Sequence, residues 1–294
     1  MGIRKWIEKN TFDLSGKTVA VTGTTGGIGK ELCLYLVHLK AKLILLDRNP
    51  IRSQKHKDEL VLAYPDADVT LISLDLENME SVKFATEALK AIDLDVLIHN
   101  AGAYSIPRHK CEGGLDNVFQ INFASPYYMT RELLPNLRAR GGKVVAVGSI
   151  AHNYSKIDRD DLDFSTRGRA SLVYGNAKRH LMYALSELFL KEESASLAIV
   201  HPGITFTNIT AHYPKLIFAI IKYPMKIIFM RPKKAALSVL RGVFESTLGC
   251  EWIGPRTFNV WGYPRKKSLK TADEKERGII FSRAEEIYEK MKNT

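Results

Sequence analysis

The sequence is poor in cysteine, with only three in 294 residues. Cys33, Cys111 and Cys250 are odd in number, far apart and in no Cys-x-x-Cys or Cys/His ligand spacing, which excludes a disulfide framework and a zinc site. No metal is expected, and a reducing compartment suits the thiols. Low-complexity tracts and internal repeats are absent, so solenoid and disordered classes fall away. The opening MGIRKWIEKNTFDL lacks the continuous apolar run of a secretory signal, since charges interrupt Trp6, Ile7 and Phe12. Trp6 also stands where an N-myristoylation pattern needs Ser or Thr. The expected location is cytoplasmic, with peripheral attachment to a membrane as the alternative.

Acidic residues are outnumbered, 32 Asp and Glu against 43 Lys and Arg, leaving a net charge of +11. Such a balance suits nucleic acid, an anionic membrane surface or a phosphate-bearing ligand. The basic residues are scattered, densest in YPRKKSLK and MRPKK, and no nucleic-acid-binding motif accompanies them; nucleic acid is not an expected partner. With 45% apolar and 26% charged residues the chain has the composition of a globular protein with a sizeable core.

Short β-branched runs recur: KTVAVTG, KLILLDR, VTLISLDL, DVLIHNAG, KVVAVGS and SLAIVHP, each followed by helix-like or loop sequence. Near-continuous apolar strands alternating with helices predict an α/β fold, a doubly wound parallel sheet of Rossmann type with helices on both faces. A last strand is expected near RTFNVWG and a terminal helix over about 272–292. No Pro/Gly/Ser linker divides the chain, so 1–294 reads as a single domain. At the first strand-to-helix turn lies VTGTTGGIGK, in which Gly23, Gly27 and Gly29 form Gly-x3-Gly-x-Gly. The missing side chains let backbone amides and a helix N-terminus approach a pyrophosphate. Thr25, Gly26 and Ile28 belong to the same turn. Asp47 follows Gly29 by 18 residues, about where an acidic group meets the adenosine ribose; a helix N-cap is its structural alternative. Asp75 and Leu76 close the third strand, and Asn100, Ala101 and Gly102 the fourth, all on the carboxyl edge where ligands of such folds bind.

Ser149 closes the fifth strand, and YGNAK sets Tyr174 and Lys178 four residues apart on one helix face. Singly these residues are a cap, a core aromatic and a solvated charge. Their ordered coincidence with TGTTGGIG, HNAG, QIN (Asn122) and HPG (Pro202, Gly203) resembles the short-chain dehydrogenase/reductase family over roughly residues 14–262. His99 replaces the first Asn of the usual Asn-Asn-Ala-Gly, and Ala177 a frequent Ser. The 25 residues from Ser149 to Tyr174, about twice the common spacing, and the GSIAH motif are similar to the retinol dehydrogenase and WW-domain oxidoreductase branch.

The resemblance implies an NAD(P)-dependent oxidoreductase interconverting an alcohol and a carbonyl on a small lipophilic substrate of steroid, retinoid or fatty alcohol type. Tyr174 would be the acid/base, its phenol eased toward working range by the Lys178 ammonium and the cationic oxidised nicotinamide together. Ser149 would bond the substrate oxygen, and Asn122 a water on the proton path. Lys178 would also hold the nicotinamide ribose, with Ile204 and Thr205 or Thr207 near the carboxamide. A homo-oligomer is common in the family. NAD is expected over NADP, because Asp47 would accept from the ribose hydroxyls and repel a 2′-phosphate; Arg48, directly after the second strand, pulls toward NADP. The other readings kept open are a non-catalytic dinucleotide sensor and a nucleotide-sugar-modifying relative. A substrate-covering segment is expected at about 204–231. Within it KLIFAIIKYPMKIIFM, residues 215–230, reads as a lipophilic lid, an interfacial helix against a membrane or ordinary packing. It rises about 24 Å, short of a ~30 Å bilayer core.

Overall fold

The structure is a computed structural model that describes residues 2–204, 229–269 and 274–293. Six apolar runs became parallel strands: β1 (Thr18–Thr22), β2 (Lys42–Asp47), β3 (Val69–Ser73), β4 (Val96–His99), β5 (Lys143–Val147) and β6 (Ser196–Val200). Two more follow, β7 (Glu251–Thr257) and β8 (Trp261–Ser268), and the sheet order is β3-β2-β1-β4-β5-β6-β7-β8. The order reverses between β1 and β4, and a crevice opens there beyond the strand ends.

Successive residues of each strand point to opposite faces, and both faces are buried. Ala20, Ile44, Leu97, Val144 and Ile199 pack on one side with Leu133, Leu181 and Ile280; Val19, Leu43, Ile98, Val145 and Ala198 pack on the other with Leu32, Leu36 and Leu240. The first side carries helices α4 (Met79–Lys90), α6 (Ser125–Ala139), α7 (Ala170–Leu188) and α9 (Glu274–Asn293). The second carries α1 (Ile3–Asn10), α2 (Gly27–His38) and α8 (Pro232–Phe244), with α3 (Pro50–Ala63) beside them. A short α5 (Asn117–Phe119) runs into a π-turn over Gln120–Ala124.

The stretch expected as a last strand, RTFNVWG, is instead the bend of a hairpin. Phe258 and Asn259 both have positive φ, 50° and 59°, the left-handed geometry of a tight antiparallel turn, and β7 pairs antiparallel with β8. Trp6, on the helix that precedes β1, stacks on Tyr263 of β8 at 6.1 Å. The expected terminal helix is α9, whose described part begins at Glu274. It buries Ile280, Ala284, Ile287, Tyr288 and Met291 against the α6/α7 side. Among the described residues no helix is long and apolar enough to cross a membrane. Residues 205–228 of the expected covering segment lie outside the described residues; Met230, just beyond them, is buried and its N–H donates to Ile204 O at 2.9 Å.

Candidate active site

A cleft of about 740 Å³ opens at the carboxyl edge, lined by Gly23, Thr25–Gly29, Asp47–Asn49, Arg52, Leu74–Glu77 and Asn100–Tyr104 among others. The glycine turn has its shape for local reasons. Gly23 has φ +71°, and a Cβ there would stand 2.9 Å from Ala101 Cα; one on Gly29 would run into the Gly23 carbonyl oxygen. Asn100 Nδ2 donates to Thr22 O and Gly23 O at 3.0 and 2.9 Å, while the Asn100 and Ala101 amides donate to Thr22 Oγ1. The turn is thereby bonded to the end of β4. No side chain caps α2 and no acidic residue sits in its first turn, so its first amides are left for an anion. A Cβ on Gly26 would meet nothing within 4 Å: the turn faces open cleft. A bare helix N-terminus on a glycine-lined cleft of this size fits a dinucleotide.

Asp47 stands where the spacing put it, at the end of β2, but its carboxylate is engaged elsewhere. It lines the cleft, yet it is 5% exposed and turned into the protein. Its Oδ1 accepts from the amides of Thr24 (2.7 Å) and Thr25 (3.3 Å), and its Oδ2 from the hydroxyls of Thr24 and of Ser53 (3.0 Å). Four donors occupy the carboxylate, which serves as the anchor of the glycine turn. The ground for expecting NAD, an acidic group free for ribose hydroxyls, is therefore removed. Arg48 and Arg52 line the same cleft from the α3 side. Arg48 is largely exposed and pairs with Glu77 at 3.2 Å; Glu77 also meets His109 at 3.2 Å. Asp75 Oδ1 accepts from the Glu77 amide at 3.1 Å, holding the strand-three end that carries Leu76.

The cleft continues to Tyr104, whose ring meets Tyr174 edge-on at 5.3 Å. Tyr174, Ser149, Lys178 and Asn122 are not themselves among the residues that line the cleft. The Ser149 hydroxyl accepts from the Ala151 amide at 3.2 Å and stands close enough to the Tyr174 phenol to lower its proton affinity. Lys178 is 2% exposed; its Nζ donates to Val147 O at 2.8 Å and lies 5.7 Å from the Tyr174 ring centroid. A Cβ on Gly102 would come 2.8 Å from Asn122 Oδ1 and 3.5 Å from Lys178 Nζ, so the glycine of HNAG is what lets these polar groups close in on the strand end. Asn122 sits fully buried in the π-turn; its Nδ2 donates to Ala103 O and Val118 O, both at 2.8 Å, and its Oδ1 accepts from Ala103 N at 3.3 Å. Its side chain is spent on the loop after β4.

Burial governs the titration here. It pushes the Tyr174 phenol up to about 12, against the Ser149 hydroxyl that lowers it, and Tyr104 adds to the rise. It pulls the Lys178 ammonium down to about 7. Desolvation thus works against the easing expected from the Lys178 ammonium and the oxidised nicotinamide, and without the dinucleotide it favours the protonated phenol.

His99 Nε2 meets Thr130 Oγ1 at 2.8 Å inside the core, and burial holds it neutral, near 3; it faces α6 rather than the cleft. Ala177 is core. Pro202, Gly203 and Ile204 close β6 outside the cleft lining, with Pro202 and Gly203 buried. Thr205 and Thr207 lie outside the described residues. The sequence reading missed Thr24, Ser53, Arg52, Glu77, Tyr104 and His109. Only Tyr104 and Arg52 carried a signal, the first two residues past HNAG and the second one turn past Arg48.

Among known families, the one described as short chain dehydrogenase matches residues 17–159. A short-chain dehydrogenase of Brassica napus, TIC 32 A, chloroplastic, is 30% identical over 219 residues, 69% of this chain and 68% of that one. Retinol dehydrogenase 14 of Mus musculus is 30% identical over 214 residues, covering 68% of this chain and 64% of that one. Among solved structures, a Pseudomonas aeruginosa RhlG/NADP active-site complex is 25% identical with a TM-score of 0.62, covering 82% of this chain and 95% of that one.

Proposed function

The chain belongs to the short-chain dehydrogenase family, near its retinol dehydrogenase branch, and is an NAD(P)-dependent oxidoreductase acting on alcohols and carbonyls; on that premise we propose that it works as an NADPH-dependent reductase of a bulky apolar aldehyde or ketone. The observation that carries this is the Ser149–Tyr174 hydroxyl pair beside Lys178, next to a dinucleotide-sized cleft whose adenosine side offers Arg48 and Arg52. A sensor that only bound a dinucleotide would need no such pair.

The dinucleotide, when bound, supplies the hydride. Everything else falls to the chain. Ser149 donates to the substrate oxygen as negative charge develops there. Tyr174, kept protonated by its surroundings, gives its phenolic proton to that oxygen, leaving an alcohol and a phenolate. Lys178, with a proton affinity near neutrality, stabilises the phenolate and returns a proton to it from solvent. Asn122 fixes the backbone of Ala103 and with it the floor between β4 and Tyr104. Glu77, paired to Arg48, releases that guanidinium when a phosphate competes for it.

Support for an apolar substrate comes from the retinol dehydrogenase likeness and from the long Ser149–Tyr174 insert. The apolar sequence of residues 215–230 supports peripheral contact with a lipid surface. Single-turnover reduction of decanal, all-trans-retinal and a 3-ketosteroid, followed by nicotinamide absorbance with NADPH and with NADH, tests the reading. Turnover of at least one apolar carbonyl, faster with NADPH, is expected. No turnover of any of them by the intact chain, or reduction of short polar carbonyls alone, overturns it.

A further inference from the structure

Immediately after Lys178 on the same helix comes Arg179, whose guanidinium is shut inside the protein, 3% exposed. Its guanidinium reaches two other elements at once. Nε and Nη2 donate to the two carboxylate oxygens of Glu276 on α9, at 2.8 and 2.5 Å, and Nη1 donates to His152 O at 2.8 Å. His152 in turn grips Ser149: its amide and its ring Nδ1–H both donate to Ser149 O, at 3.1 and 2.5 Å. Glu276 Oε1 also accepts from the amide of Ile157, at 3.3 Å, three residues past the 3-10 turn Ile150–Tyr154 that Ser149 caps. The turn lies directly on α7, because a Cβ on Gly175 would run into Ala151 O.

A buried, forked ion pair of this kind gives little net stability over well-packed apolar residues, because both charges are desolvated. What it does give is fixed geometry, since the planar guanidinium bonds only in defined directions. Here those directions run to the segment that carries Ser149, from the helix that carries Tyr174, with the last helix supplying the counter-charge. We propose that Glu276 and Arg179 are positioning residues for the reaction: the pair fixes the Ser149 hydroxyl against the Tyr174 phenol. The proposal rests on Ser149 and Tyr174 being the reacting pair. Misplacing a reacting group by 1 Å costs on the order of 10²-fold in rate, and a fraction of that shift is what a loosened turn would allow.

Two variants of the full chain test it. Glu276→Gln keeps the shape and loses the charge. Arg179→Lys keeps the charge and one bond to Glu276 but cannot also reach His152 O. The probe is whichever of decanal, all-trans-retinal and a 3-ketosteroid wild type reduces best, with NADPH. For both variants kcat should fall about ten- to hundredfold while KM and NADPH affinity stay within about twofold. The pH limb set by Tyr174 should also move up, because the Ser149 hydroxyl that lowers it is held less firmly. A merely structural pair would lower thermal stability and leave both kcat and the limb in place; that result overturns the proposal. Should Glu276→Gln fail to fold, wild-type kcat in Arg179→Lys overturns it equally. Ser149→Ala and Tyr174→Phe run alongside: if they remain active the reacting pair is wrong, whereas if they are dead and the clamp variants are normal, only the positioning role fails.

Discussion

Arg48→Ala is expected to change which dinucleotide the protein uses. In wild type the Arg48 guanidinium is 67% exposed and held by Glu77 at 3.2 Å, a surface pair worth about 0–1 kcal/mol. A 2′-phosphate on the adenosine ribose would offer it charge-assisted hydrogen bonds worth about 1.5–3 kcal/mol. The exchange of Glu77 for phosphate therefore favours NADPH by a net of about 0.5–3 kcal/mol, some 2- to 160-fold. Arg48→Ala should lower kcat/KM for NADPH by that factor and change NADH by less than about threefold. Glu77→Gln should do the opposite, raising NADPH affinity severalfold, because the guanidinium no longer has a carboxylate to leave.

Asp47→Asn is the control that separates this from the simpler idea of a ribose-reading carboxylate. Asp47 accepts from two amides and two hydroxyls. An amide there turns a donor toward donors, which should cost about 2–3 kcal/mol of stability and weaken both dinucleotides together through the glycine turn. Steady-state kcat/KM for the two cofactors and thermal melts of the three variants are the measurements. If Asp47→Asn leaves the melt unchanged and improves NADPH use tenfold, Asp47 reads the ribose after all and the reasoning is refuted.

Tyr174→Phe should abolish turnover, by at least a hundredfold, with NADPH binding by fluorescence nearly unchanged; retention of more than about a tenth of wild-type activity would remove Tyr174 from the acid role. Lys178→Met should also stop turnover yet stabilise the ligand-free fold. Burial holds Lys178 down to about 7 from 10.5, so between those values the unfolded chain binds the extra proton and wild-type stability rises with pH, the full penalty being present below about 7. That penalty has an upper bound of about 5 kcal/mol, so melts should show a higher Tm for Lys178→Met at pH 6–7 and a gap that closes by pH 10; a lower Tm throughout contradicts the account. Ile217→Asp combined with Ile221→Asp should reduce co-sedimentation with anionic liposomes and selectivity for a steroid over a short alcohol; a folded double variant indistinguishable from wild type in both would make 215–230 packing only.

How far the sequence could be read followed from which interactions are local. Strands such as LILLD and VVAV announce themselves because both faces of a parallel sheet are covered, and Gly23 and Gly29 because the turn admits no side chain at either. Tyr174 and Lys178 were legible because helical spacing puts them on one face. Direction was not legible. The position of Asp47 at the end of β2 was right, yet nothing in the spacing says that its carboxylate turns back onto Thr24 and Thr25 instead of out to a ribose. The hairpin bend was hidden for a related reason: Phe258 and Val260 have strand-like side chains, and only Asn259 hints at the left-handed backbone beneath them. Partners far apart in the chain were beyond reach altogether, Arg179 and Glu276 being separated by 97 residues. The charge states followed the same division. Counting residues puts an ammonium one turn from a phenol and argues for a lowered phenol; folding buries Lys178 and half-buries Tyr174, and desolvation pushes the phenol the other way despite the pairing at 5.7 Å. What sets the proton affinity of the phenol is thus the packing around Tyr174, with Tyr104 beside it, and not the Tyr-x3-Lys motif itself.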